Sequence, residues 1–84
     1  MIHTTVYGSE GCFACKMALK WLMTNGYQPA YVDLEDDPDT RERFTSTGVR
    51  ALPVVVFDDG EKLIRQVEGF QPDVYKQIKP TIGE

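Results

Sequence analysis

Apolar positions along this chain change period several times, and each change marks an element. Thr4-Thr5-Val6-Tyr7 is β-branched and aromatic throughout, which predicts a buried strand. Gly8-Ser9-Glu10-Gly11 breaks it with a loop. From Cys12 to about Asn25 the period becomes helical. Cys15, Ala18, Leu19 and Leu22 share one face and Lys16 and Lys20 lie on a polar one. Asn25-Gly26 is a helix stop. Ala30 to Leu34 reads as a second strand. Asp37 is the expected N-cap of a second helix, with Pro38 at its first position and its end near Ser46 to Gly48. Asp36, Asp37 and Asp39 read as an acidic helix start rather than a metal site.

Leu52-Pro53-Val54-Val55-Val56-Phe57 predicts a third strand, and Asp58-Asp59-Gly60 a hairpin turn. Lys62 to Glu68 returns as a fourth, antiparallel strand that Gly69 ends. Pro72-Asp73 opens a third helix, and Pro80 is expected to close it. The order is β-α-β-α-β-β-α. A right-handed crossover makes the first two strands parallel. The expected fold is therefore α/β, a four-stranded mixed sheet with helices on both faces.

Length and charge narrow the possibilities. A sequence of 84 residues suits one domain with a small core. Nine basic against thirteen acidic residues give a net charge of −4, which argues against nucleic acid as a partner. The run from Leu52 to Phe57 is too short to cross a membrane, and Met1-Ile2-His3-Thr4-Thr5 lacks the pattern of a signal peptide. The cytoplasm is the expected location.

In that compartment a permanent structural disulfide is unusual, so the two cysteines need another reason. Cys12 and Cys15 are three residues apart at a helix start, where one turn brings them within bonding reach. Unpaired backbone N–H groups and the helix dipole there stabilise a thiolate at Cys12. Lys16 and Lys20 add slight support, whereas Glu10 works against it. Thiolate is the attacking species in disulfide exchange. Cys12 is thus expected to attack a substrate disulfide, and the more shielded Cys15 to resolve the mixed disulfide. Zinc needs about four ligands, and His3 is the single histidine available, so no metal site is assigned. Packing alone explains Cys15 more readily than Cys12. Pro53 has two readings: an ordinary trans proline at a strand edge, or a cis proline facing the dithiol that frees the Leu52 backbone to pair with a substrate strand. Gly69 as a strand end and Phe70 as a core side chain have a structural explanation too, and Trp21 and Tyr27 read as packing residues.

Three segments together resemble the glutaredoxin-like redoxins: Tyr7-Gly8-Ser9 before Cys12-Phe13-Ala14-Cys15, Leu52-Pro53-Val54-Val55, and Glu68-Gly69-Phe70-Gln71-Pro72-Asp73. The resemblance spans nearly the whole chain. It implies a minimal thioredoxin fold over 1–84, with Cys12 as nucleophile, Cys15 as resolving thiol and Pro53 cis. A substrate groove bordered by Phe13, Ala14, Leu52, Pro53, Gly69 and Phe70 goes with it. No tightly bound cofactor is expected besides the redox-active Cys12–Cys15 disulfide. Gly69-Phe70-Gln71-Pro72-Asp73 looks like the corresponding segment of NrdH-type redoxins, with Gln71 in place of a basic residue. Glutaredoxins commonly carry two glycines at this point, where this chain has Gly69 alone. The resemblance implies a monomer recycled by thioredoxin reductase, with ribonucleotide reductase or other disulfide proteins as substrates. Glutathione is the alternative reductant. Two other classes remain: a non-catalytic module that binds a partner strand in the same groove, and a dimer bridged by metal through Cys12 and Cys15.

Overall fold

The computed structural model describes residues 2–78. Its elements are β1 (His3–Gly8), α1 (Phe13–Thr24), β2 (Ala30–Asp33), a short 3₁₀ turn (Leu34–Asp36), α2 (Pro38–Ser46), β3 (Val54–Asp58), β4 (Leu63–Glu68) and α3 (Pro72–Tyr75). The sheet order is β2-β1-β3-β4. β1 and β2 are parallel, and the β1–β3 and β3–β4 pairs are antiparallel. This is the mixed α/β sheet expected from the sequence.

Strand alternation divides the core in two. Val6, Val55, Phe57 and Val67 face Ala18 and Leu22 of α1 and Tyr75 of α3. Val54, with Tyr7 and Val56 beside it, faces Leu34 and Phe44 under α2. Helices therefore cover both faces. Each fully buried Val, Leu or Phe contributes about 1.5–3 kcal/mol through burial. The buried Tyr27 hydroxyl donates to the carbonyls of Tyr75 (3.0 Å) and Ile78 (2.7 Å), which ties the last described turn to the α1–β2 connection.

Several boundaries differ from the sequence expectation. The second strand ends at Asp33, because the Asp33 carboxylate accepts the Glu35 N–H at 2.9 Å and starts the 3₁₀ turn. The third begins at Val54, after a cis Leu52–Pro53 bond, since proline has no N–H for the ladder. The fourth begins at Leu63. α1 starts at Phe13, with Cys12 as its cap. Asp37 caps α2 as expected, accepting from the Thr40 N–H at 3.3 Å and from its hydroxyl at 2.7 Å. α3 is four residues long. Its expected closing residue, Pro80, lies outside the described residues.

The β3–β4 turn is held by aspartates. Asp59 Oδ1 accepts the N–H groups of Glu61 and Lys62, both at 2.8 Å, and Asp58 accepts that of Gly60 at 2.8 Å. The Lys62 and then the Glu61 N–H hold the Asp59 carboxyl below its ordinary value of 3.8. A depressed folded value adds stability that is present above the unfolded value and lost as pH falls through the folded one. Acid unfolding below about pH 4 should thus be shallower for Asp59→Asn than for the parent chain, measured by denaturant midpoints across that range.

Candidate active site

The site lies at one end of the sheet. Tyr7 pairs with Val54, and Val54 with Glu68. That register brings Gly8, Pro53 and Gly69 to the same end, where β1 runs into the loop before α1. The Gly69 N–H donates to the Pro53 carbonyl at 2.7 Å. Gly69 has φ +87°, a conformation that glycine adopts without strain, so the chain turns sharply here from β4 towards α3.

Cys12 and Cys15 form a disulfide with a Cα–Cα distance of 5.3 Å. The two sulfurs are not equivalent. Cys12 is half-buried, and its Sγ takes the N-cap role, accepting the Cys15 N–H at 3.1 Å. Cys15 is fully buried among the inner side chains of α1. No acidic residue occupies the first turn of α1 to offset the positive end of its dipole. The sequence places Cys12 at the helix start, and there it stands as the N-cap, with its sulfur on the Cys15 N–H.

The six residues expected to border the groove are placed differently from one another. Phe13 is 74% exposed and projects beside the disulfide at the tip of α1, with Ala14 partly covered behind it. Pro53 is buried and cis. Leu52 packs against the Leu34–Phe44–Val54 cluster under α2. Phe70 packs on Tyr75, ring centroids 6.3 Å apart. Phe70 also lines a concavity of about 290 Å³ with Met17, Lys20, Trp21, Thr24 and Asn25 along the flank of α1. Gln71 is held by a bond from Nε2 to the Glu68 carbonyl at 2.6 Å. The Tyr75 hydroxyl donates to the Gly69 carbonyl at 2.6 Å, so Gly69 is fixed from both sides. Among the described residues no group of three or more His, Cys, Asp or Glu side chains is arranged to hold a metal ion.

Sequence reasoning missed Gly8 and Tyr31. A Cβ on Gly8 would lie 2.7 Å from Cys15 Sγ and 3.0 Å from the Tyr31 hydroxyl. The only signal for this was a glycine directly after a strand and four residues before the first cysteine, which reads equally as loop punctuation.

Residues 4–62 match the glutaredoxin family model. The glutaredoxin-like protein NrdH of Lactococcus lactis subsp. cremoris is 34% identical over 55 residues, covering 66% of this chain and 76% of that protein. The glutaredoxin-like protein NrdH of Salmonella typhimurium is 27% identical over 77 residues, covering 92% of this chain and 89% of its own. The solved structure of the NrdH-redoxin from Escherichia coli superposes with a TM-score of 0.82 at 24% identity, over 95% of this chain and 99% of that one. A glutaredoxin from Archaeoglobus fulgidus superposes with a TM-score of 0.70 at 24% identity, over 92% and 85% of the two chains. With a half-buried and a fully buried cysteine joined at a helix start, the chain belongs to the glutaredoxin family, as an NrdH-like thiol–disulfide oxidoreductase of the thioredoxin superfamily.

Proposed function

We propose that this redoxin reduces protein disulfides with Cys12 as nucleophile and Cys15 as resolving thiol, that it is recycled by thioredoxin reductase, and that it donates electrons to ribonucleotide reductase or other disulfide proteins. The observation that carries the assignment of roles is the asymmetry of the pair. Cys12 is half-buried and its Sγ accepts a backbone N–H at the helix start, whereas Cys15 is fully buried. A thiolate at Cys12 is stabilised there and reachable. It attacks one substrate sulfur, the substrate S–S bond breaks, and the departing sulfur leaves as a thiolate. Cys15 then displaces the second substrate sulfur and restores the Cys12–Cys15 bond. Two electrons pass to the substrate.

The groove would run from Phe13 and Ala14 past Pro53 to Gly69 and Phe70. Pro53 and Gly69 form its floor. Leu52 would serve through its backbone, since its side chain is used in the core. Glu68 supports thioredoxin reductase over glutathione. It is an exposed carboxylate next to the lone Gly69, where an anionic tripeptide would have to sit. The chain would work as a single cytoplasmic domain over 1–84 and as a monomer, without a tightly bound cofactor.

A paired assay tests the route. The protein is given insulin as a disulfide substrate and NADPH as electron source, with either thioredoxin reductase or glutathione plus glutathione reductase. NADPH oxidation should be several times faster in the first arm. Faster turnover in the glutathione arm would assign the chain to the glutathione-dependent branch. Partner binding that survives replacement of both cysteines by serine, with no turnover in either arm of the parent chain, would make it a binding module.

A further inference from the structure

The resolving step has a need that the dithiol does not meet by itself. Cys15 must lose its proton while fully buried, and burial disfavours a thiolate. The structure around Gly8 offers a solution. A Cβ on Gly8 would meet Cys15 Sγ at 2.7 Å, Cys15 Cβ at 2.9 Å and the Tyr31 hydroxyl at 3.0 Å. The sulfur and the phenol oxygen therefore flank one small gap, the space a side chain at residue 8 would fill. Tyr31 stands on the edge strand β2 and is 42% exposed. Beside it opens a concavity of about 480 Å³ lined by Ser9, Glu10, Lys16, Leu19, Tyr31 and Asp33. The Tyr31 hydroxyl thus borders both the gap beside the buried sulfur and a face open to solvent.

We propose that Tyr31 is a positioning residue for the second step of the exchange: across the gap over Gly8, its hydroxyl donates a hydrogen bond to the Cys15 sulfur as that sulfur becomes a thiolate. The inference rests on the reading of Cys15 as resolving thiol. In the step, the Cys15 S–H bond breaks and its proton passes into the concavity, to the carboxylate of Asp33 or Glu10. The sulfur electron pair forms the bond to Cys12. The bond between Cys12 and the substrate breaks, and the substrate sulfur leaves with that pair as a thiolate. The dithiol is oxidised by two electrons and the substrate disulfide reduced by two.

The charged groups lining the concavity beside Tyr31 act on this sulfur with opposite signs. Lys16 on α1 favours the thiolate. Glu10 in the loop and Asp33 on β2 oppose it but accept its proton. Cys12 is the sulfur it attacks. Burial, and then the charges of Asp33 and Glu10, raise the Tyr31 phenol above its ordinary value of 10.0, so it keeps a hydrogen to donate.

The test is rapid mixing of the reduced protein with dithiobisnitrobenzoate. This probe releases one coloured thiol on attack by Cys12 and a second on resolution by Cys15. Cys15→Ser should show the first release and lose the second. Tyr31→Phe should keep the first at the parental rate and slow the second by about ten- to a hundredfold, the rate equivalent of one hydrogen bond to a charged group. Its second release should also reach half its maximum at a higher pH than in the parent chain. Tyr31→Phe keeps the ring on an exposed edge strand, so folding is preserved, and an unchanged first release confirms that in the same experiment. A second release from Cys15→Ser would overturn the assignment of Cys15 itself. If Cys15→Ser behaves as expected, a parental second rate in Tyr31→Phe would overturn the role of Tyr31 alone. A slower rate with an unmoved pH profile would do the same, because it would mark a merely structural effect.

Discussion

Cys12→Ser should lower protein-disulfide reduction by a factor on the order of a thousand or more, because it removes the nucleophile of the first step. A serine hydroxyl at the α1 cap still accepts the Cys15 N–H, so the helix start is kept. What is lost is the anion. The same N–H that stabilises a thiolate cannot ionise an alcohol near neutral pH. Cys15→Ser should fail differently. Attack proceeds, the mixed disulfide has no internal thiol to resolve it, and the adduct accumulates. Intact-mass measurement after mixing with a disulfide substrate distinguishes the two: a covalent adduct for Cys15→Ser and none for Cys12→Ser. Full turnover by Cys12→Ser would refute the proposed assignment of roles.

The largest effect on stability is expected at Tyr75. Its ring is fully buried and meets Phe57 (centroids 6.0 Å apart), Trp21 (5.8 Å) and Phe70 (6.3 Å). Tyr75→Ala should cost about 3–5 kcal/mol, the range for deleting a large buried aromatic. A chain of this size has about 5–15 kcal/mol in total, so the variant should unfold at a much lower urea concentration. Tyr75→Phe keeps the ring and loses the bond to the Gly69 carbonyl, at a cost of about 1 kcal/mol. Burial raises the Tyr75 phenol above its ordinary value of 10.0. A group raised in the folded state contributes stability that is present below the unfolded value and lost as pH rises through the folded one. Unfolding above pH 10 should therefore be less steep in Tyr75→Phe than in the parent chain. Urea titrations at neutral and alkaline pH check both effects.

Local chemistry made much of this fold legible. Cys15, Ala18 and Leu22 repeat at helical spacing, and all three are buried. Asp37-Pro38 and Asp58-Asp59-Gly60 each carry their own capping or turn chemistry, and each does what it predicts. Where the reading slipped, a competing interaction had won. Asp33 turns its carboxylate onto the next backbone N–H and shortens the second strand. Pro53 removes itself and Leu52 from the third. Sulfur is not among the usual capping groups, so the cap bond from the Cys15 N–H to Cys12 was not foreseen. The state of Pro53 was open locally: trans is the commoner isomer, but its advantage at an X-Pro bond is only about 0.5–1 kcal/mol, which tertiary packing can overturn. That Cys15 and Tyr31 both border the space over Gly8 was invisible for another reason. It depends on β2 lying beside β1 and on a side chain that residue 8 does not have.

The strand order has a consequence for the order of synthesis. β1 lies between β2 and β3, so during synthesis it completes its pairing only after residue 58 has followed. Until then the β1–α1–β2 unit presents Val6, Ala18 and Leu22 to solvent, because Val55, Phe57 and Tyr75 do not yet exist to cover them. The dithiol emerges well ahead of Pro53 and Gly69. A nascent chain of this kind carries its cysteines before the sheet beside them is complete, and it is open to adventitious oxidation and association while it waits.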